Sequence, residues 1–152
     1  MIIDKKKCIN NCSSDDTYKY EYNNKCYSSC PNETFTFRYQ NKCVNENEIP
    51  ENYYVVDSNL SIIDKCDNKC IKCTKESVQN NNSCTSCNID YFPLYIDILN
   101  NKTYFNCYNN SLTLEGYYLD NIFAYKQCYK TCKECKESGN ETNYKCTKCL
   151  SN

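Results

Sequence analysis

The chain has 152 residues and a formal net charge of −1, and 16 of its residues are cysteine. The near-neutral charge excludes bulk electrostatic attraction to nucleic acid or to an anionic membrane. The absence of histidine removes the commonest general base.

The cysteine content is typical of a disulfide scaffold, and the even count suits a closed set of disulfides. Tyrosine and cysteine, 16 of each, supply much of the hydrophobic fraction, and the mean hydropathy is −0.82. Because few other apolar residues remain to form a large hydrophobic core, crosslinks have to stabilise the fold in its place. We predict a small disulfide-rich fold, an elongated array of cysteine-rich modules with short β-hairpins and little helix. Because disulfides persist in oxidising compartments, we expect an extracellular or cell-surface location.

Residues 1–46 form a loose cysteine-rich unit with the spacing C-x3-C-x13-C-x3-C-x12-C from Cys8 to Cys43. The first seven residues lack the apolar segment of a signal peptide, so we expect the chain to be a piece of a longer protein. Residues 47–65 contain no cysteine and are either a linker or a small hairpin with strands at 53–57 and 60–63.

The rest of the chain contains a repeat in its cysteine spacing. The spacing C-x3-C-x2-C-x10-C-x2-C begins at Cys66 and again at Cys128, with no residue gained or lost. We predict a cysteine-rich repeat at 66–127 and the truncated start of a second copy at 128–152. Short apolar and aromatic clusters predict strands at 34–40, 53–57, 91–98, 103–108 and 117–125.

Part of this spacing also fits a four-cysteine zinc ribbon. One such set is Cys70, Cys73, Cys84 and Cys87, and its copy lies 62 residues later. A fifth cysteine precedes each set, and eight cysteines lie outside the two sets. We therefore predict disulfides rather than a metal site, with a zinc-ribbon protein as a remote alternative.

The chain is rich in acceptor sequons for N-linked glycans, which require surface loops. Seven sequons begin at Asn11, Asn32, Asn59, Asn81, Asn101, Asn109 and Asn140. An asparagine-rich chain also produces some of these by accident. We expect a glycosylated surface.

Enzyme chemistry is poorly supported, and we predict that the chain is not an enzyme and carries no cofactor. Without histidine no Ser/His/Asp or Cys/His site can form, and two glycines cannot build a phosphate-binding loop. The aromatic pairs Tyr53-Tyr54, Tyr91-Phe92 and Tyr117-Tyr118 could stack on sugars, but the packing of half-buried aromatic side chains explains them more simply.

The matched spacing and the Cys-Tyr-Ser-Ser-Cys-Pro element at 26–31 resemble the furin-like, growth-factor-receptor cysteine-rich repeats. Similar arrays occur in large surface proteins of protists. The cysteine pattern that carries the resemblance covers about residues 8–149.

The resemblance also implies a connectivity, in which the first cysteine pairs with the third, the second pairs with the fourth, and the last closes a small loop with the next cysteine downstream. The implied pairs are Cys12–Cys26, Cys30–Cys43, Cys66–Cys73, Cys70–Cys84, Cys87–Cys107, Cys128–Cys135 and Cys132–Cys146. Cys8 and Cys149 are left over, and we predict that Cys149 joins the Cys8 of a neighbouring unit, in tandem or in a filament.

The sequence thus favours a structural module of a glycosylated surface coat or filament. Its expected partners are copies of itself and N-linked glycans, with no nucleic acid and no membrane span in this segment. The alternative is an adhesin or receptor ectodomain that binds a glycan or a protein.

Overall fold

A computed structural model of the chain describes residues 11–78, 81–111 and 113–150. The chain divides into two compact units, residues 1–65 and 66–152. The described residues form 14 short strands, one α-helix and two single turns of 3-10 helix. A small disulfide-rich fold with short β-hairpins and little helix is therefore confirmed, while the elongated arrangement of its modules stays a prediction.

The first unit has six strands in its described part. They are β1 Tyr20–Tyr22, β2 Lys25–Tyr27, β3 Thr34–Phe37, β4 Cys43–Asn45, β5 Tyr53–Asp57 and β6 Ile62–Lys65. Turns of 3-10 helix lie at Cys12–Ser14 and Glu46–Glu48. Strands β1 and β2 pair antiparallel around Asn23 and Asn24, whose φ angles of 48° and 58° are left-handed. Two left-handed residues make the turn that matches strand twist, and asparagine tolerates that conformation.

The other four strands of this unit form one sheet in the order β4-β3-β6-β5. Segment 47–65 contributes the hairpin β5–β6, whose second strand runs parallel to β3 with Phe37 opposite Ile63. Phe37, Val44 and the fully buried Ile63 form the core on this sheet. The ring of Tyr53 meets Phe37 edge-on, with centroids 5.0 Å apart. This sheet gives the first unit its small hydrophobic centre.

The second unit has eight strands in its described part and the α-helix. These are β7 Cys70–Cys73, β8 Cys84–Cys87, β9 Tyr91–Phe92, α1 Tyr95–Leu99, β10 Tyr108–Asn109, β11 Tyr117–Leu119, β12 Tyr125–Gln127, β13 Cys132–Cys135 and β14 Cys146–Cys149. They pair antiparallel two by two: β7 with β8, β9 with β10, β11 with β12, and β13 with β14.

Several predicted strands are shorter than expected, and one is wrong. The strand at 91–98 ends at Phe92, because Pro93 has no N–H for the ladder, and helix α1 follows from Tyr95. The strand at 103–108 is regular only from Tyr108, and 117–125 is a hairpin with a turn in its middle. Short apolar runs fit a strand and a helical turn equally well, so periodicity alone could not separate them.

Candidate functional site

The two copies of the cysteine spacing fold into the same hairpin, and we name residues 66–87 the first cassette and 128–149 the second cassette. In both, the first and last hairpin cysteines face each other, as do the middle two. The pairs are Cys70 opposite Cys87, Cys73 opposite Cys84, Cys132 opposite Cys149, and Cys135 opposite Cys146. The register shifts fall at equivalent positions in the two ladders. The repeat in sequence is therefore a repeat in backbone structure.

Finer backbone details repeat as well. In both copies the residue directly before the second strand of the hairpin is left-handed, with φ of 54° at Ser83 and 55° at Lys145. The Sγ atom of Cys70 lies 3.4 Å from the carbonyl oxygen of Asn82, and the Sγ atom of Cys132 lies 3.2 Å from that of Tyr144. These positions are 62 residues apart, the same offset as the cysteines. Both cassettes therefore share one local conformation.

Seven disulfides crosslink the described residues. They are Cys12–Cys26, Cys30–Cys43, Cys66–Cys73, Cys70–Cys84, Cys87–Cys107, Cys128–Cys135 and Cys132–Cys146. These are the same seven pairs that the resemblance implied. Within each cassette one disulfide spans 7 residues and the other spans 14.

The first unit also contains a disulfide that spans 14 residues, Cys12–Cys26. Aligned on this bond, Cys8 takes the place of Cys66, and Asp15 takes the place of Cys73. The Asp15 carboxylate accepts hydrogen bonds from the backbone N–H groups of Thr17 (3.0 Å) and Tyr18 (2.9 Å). A hydrogen-bonded carboxylate thus stands at the position where each cassette has the second cysteine of its small disulfide loop.

Cys149 is a free, exposed thiol, the only free cysteine among the described residues. Its equivalent in the first cassette, Cys87, is bonded to Cys107. Cys8, which the sequence predicts as the partner of Cys149 in another unit, lies outside the described residues. The last cysteine of the cassette is therefore bonded in the first copy and a free thiol in the second.

The sequon asparagines fall into two groups. Five are exposed: Asn11, Asn32, Asn59, Asn101 and Asn140. Asn81 and Asn109 are half-buried, and Ser83 of the Asn81 sequon is fully buried. At Asn140 the side-chain oxygen accepts hydrogen bonds from the backbone N–H groups of Thr142 and Asn143 and from the Thr142 hydroxyl. These bonds use the amide oxygen and not the nitrogen to which a glycan attaches.

The second unit carries a cleft of about 300 Å³ lined by tyrosines. Tyr117 and Tyr118 come from β11 and Tyr125 from β12, while Tyr95 comes from the start of α1. The sequence analysis identifies the tyrosines at 117–118 as sugar-stacking candidates but not Tyr95 or Tyr125. Tyr95 lies 22 positions before Tyr117, whereas Tyr125 lies in the next strand of the same hairpin. Of the other candidates, Tyr53 packs in the first core, and Phe92 stacks on another ring of its own unit.

Charged groups at this cleft neutralise one another. Lys126 forms an ion pair with Asp120, and its ammonium lies 4.7 Å from the centre of the Tyr95 ring. The hydrogen bond from Lys126 lowers the pKa of Asp120, and the same bond raises the pKa of Lys126. Burial raises the pKa of Tyr125, whose hydroxyl donates a hydrogen bond of 2.8 Å to the carbonyl oxygen of Asn109. The cleft is therefore aromatic and polar, and the charge of its lining residue Lys126 is balanced by Asp120, which lies outside the lining.

A second, more polar cavity of about 560 Å³ lies beside α1. Its buried Asp97 forms an ion pair of 2.6 Å with Lys102, and the hydrogen bond with Asp97 raises the pKa of Lys102. Two sequon asparagines, Asn81 and Asn101, lie in its wall. A glycan on either one would cover this cavity.

No group of three or more His, Cys, Asp or Glu side chains in residues 11–78, 81–111 and 113–150 is close enough to hold a metal ion. In the zinc-ribbon alternative four thiolates would share one ion, but a disulfide sulfur is not a thiolate. Both Cys70 and Cys84, and both Cys132 and Cys146, are consumed in disulfides.

Comparison of the chain with protein-family models, with curated proteins and with solved structures finds no match. None of the helices formed by the described residues has the length and apolar character needed to cross a membrane. The density of disulfides is typical of extracellular or secreted proteins.

Proposed function

We propose that this chain is a structural, extracellular, cysteine-rich repeat module of a glycosylated surface coat or filament. The repeated cassette is the observation that carries the proposal, because two copies share one register, one set of bond spans and one backbone conformation. A furin-like array of such cassettes is stabilised chiefly by crosslinks, each of which contributes roughly 2–4 kcal/mol by restricting the unfolded chain. Its role is mechanical and protective.

The free thiol of Cys149 supports a head-to-tail link between units. Cys149 is the equivalent of Cys87, which bonds Cys107 outside the first cassette. We propose that Cys149 bonds the Cys8 of the next unit, in tandem or in a separate subunit. The two thiols lose two protons and two electrons, and a disulfide donor of the oxidising compartment is reduced to two thiols. A head-to-tail bond does not close on itself and therefore generates chains or fibres.

The glycan coat forms the other part of the proposal. The five exposed sequon asparagines are the expected carriers, since an attached glycan requires free surface. Glycans there would solubilise a module in which the buried cluster of Phe37, Val44 and Ile63 is small.

An intact mass under non-reducing conditions, before and after enzymatic deglycosylation, tests this proposal. We expect seven disulfides in each chain, a mass loss on deglycosylation and covalent multimers. Asn140→Gln should remove one glycan mass, whereas Asn81→Gln should remove none. Thiols that all react with alkylating agent, together with two bound zinc ions, would establish the zinc-ribbon alternative instead.

A second candidate role is an adhesin or receptor ectodomain. The tyrosine-lined cleft of the second unit favours it, because no sequon asparagine lies in its wall. Glycosylation would thus leave the lining residues themselves unmodified.

A further inference from the structure

We infer that the tyrosine-lined cleft of the second unit is a binding site for a neutral saccharide. This inference rests on the second candidate role and specifies its ligand class. The cleft volume of about 300 Å³ lies at the lower end of the range for small-molecule sites, which suits one or two sugar rings.

The walls of the cleft are held in place by contacts that require no ligand. Tyr125 is 3 % exposed, and its ring meets that of Tyr108 edge-on with centroids 6.2 Å apart. Tyr118 packs against the buried half-cystines Cys128, Cys132 and Cys135. The aromatic wall of the cleft is therefore preformed, so little conformational entropy is lost when a ligand binds.

The chemistry of the lining matches a sugar ring. The apolar C–H face of a pyranose stacks on a flat aromatic ring, and tyrosine combines such a face with a polar tip. Gln127 and Ser138 lie in the wall, are exposed, and offer an amide and a hydroxyl to the hydroxyl groups of the sugar. In an aromatic site, a small number of well-positioned polar groups fix the orientation of a small ligand.

The charges argue for a neutral ligand. Lys126 is the cation in the wall, and it is already bonded to Asp120 and lies over the Tyr95 ring. An anionic sugar would have to compete with Asp120, and a ligand cation would have to displace the lysine from the aromatic face. A neutral ring leaves both contacts intact.

A proline-rich peptide is the main competing occupant, since aromatic-lined grooves also bind that conformation. Such a peptide needs an extended groove with several pockets. The small volume of this cleft, and the polar groups at its edge, favour the sugar.

The test measures binding of three neutral disaccharides, diacetylchitobiose, lactose and mannobiose, to the disulfide-bonded full chain by calorimetry and saturation-transfer NMR. We expect at least one to bind in the millimolar range. Tyr117→Ala should weaken that binding about tenfold, through the lost stacking face. Gln127→Ala, at an exposed position, should weaken it about three- to tenfold, through one lost hydrogen bond.

Tyr39→Ala is the matched control, because Tyr39 is 82 % exposed and belongs to the first unit. It should leave the affinity unchanged, and intact mass should show seven disulfides in every variant. Binding that Tyr39→Ala weakens and Gln127→Ala does not would overturn the assignment. Binding of decaproline instead of sugar, lost in Tyr117→Ala, would overturn the saccharide while the binding role stands. If none of the four probes binds, both the saccharide assignment and the binding role are contradicted.

Discussion

Ile63 is the residue on which the sheet of the first unit depends most. It is fully buried between Phe37 and Val44, at the one parallel pairing of that sheet. We predict that Ile63→Ala lowers the free energy of unfolding by about 2–5 kcal/mol, because the cavity left behind adds to the lost burial. Urea unfolding with the disulfides intact measures the change.

Leu60 provides the control for this prediction, since it lies in the same hairpin and is 66 % exposed. Leu60→Ala should change the free energy of unfolding by no more than about 0.5 kcal/mol. Equal losses in the two variants would show that this sheet has no core.

The ion pair between Asp120 and Lys126 gives a prediction about pH. Because Lys126 donates a hydrogen bond to Asp120, the pKa of Asp120 lies below its ordinary 3.8 and that of Lys126 above its ordinary 10.5. The pair's stabilisation is therefore fully present between these two ordinary values. It is lost as the pH falls through the lowered value of Asp120, or rises through the raised value of Lys126.

A carboxyl-carbon NMR titration checks this directly. The midpoint of Asp120 should lie below 3.8 in the unchanged chain and return toward that value in Lys126→Met. The same midpoint in both proteins would mean that the pair does not exist in solution.

At the scale of the element, the cassette hairpin carries a testable backbone feature. Lys145 is left-handed with φ of 55°, a conformation that costs a residue with a Cβ atom roughly 1–2 kcal/mol and glycine almost nothing. Lys145→Gly should therefore keep the free energy of unfolding within about 0.5 kcal/mol of the unchanged chain or raise it, because relief of strain offsets the greater entropy of unfolded glycine.

Lys148→Gly is the matched variant. Both lysines are exposed and each pairs with a glutamate, Lys145 with Glu137 at 2.9 Å and Lys148 with Glu134 at 3.4 Å. Lys148 lies within strand β14, so glycine there should cost about 0.5–1 kcal/mol. Equal destabilisation by the two substitutions in urea would contradict the shared left-handed turn.

The cassettes also show what sequence could and could not predict. The spacing identifies the repeat, and the connectivity that the resemblance implies pairs Cys70 with Cys84 and Cys132 with Cys146, as in the structure. The hydrogen bonds of Asp15, at the position equivalent to Cys73, could not be predicted, since a hydrogen-bonding aspartate leaves no mark in a cysteine pattern. The short strands were placed only approximately, because tertiary contacts rather than propensity decide where they end.

The tyrosine-lined cleft could not be predicted from the sequence, for a different reason. Tyr95 and Tyr125 are 30 positions apart, and the α-helix that brings Tyr95 to the cleft was predicted as a strand. A site built by side chains from separate elements depends on tertiary structure, which spacing alone does not supply.

At the scale of the whole molecule, crosslinks take the place of a large core. Most buried apolar residues among those described are cysteines, and the cluster around Ile63 is small. A protein built this way gains stability from each disulfide in turn and can add cassettes without needing a larger hydrophobic interior. In the proposed head-to-tail link, the free thiol of Cys149 is the point at which one copy of the chain bonds the next.

The most direct test is disulfide mapping on an equal mixture of isotopically light and heavy chains, oxidised together, with remaining thiols blocked by N-ethylmaleimide. We expect the seven disulfides within single chains and a Cys8–Cys149 peptide pair that combines light with heavy halves. A Cys8–Cys149 pair found only within one isotope, or maleimide on both thiols, would contradict the head-to-tail account.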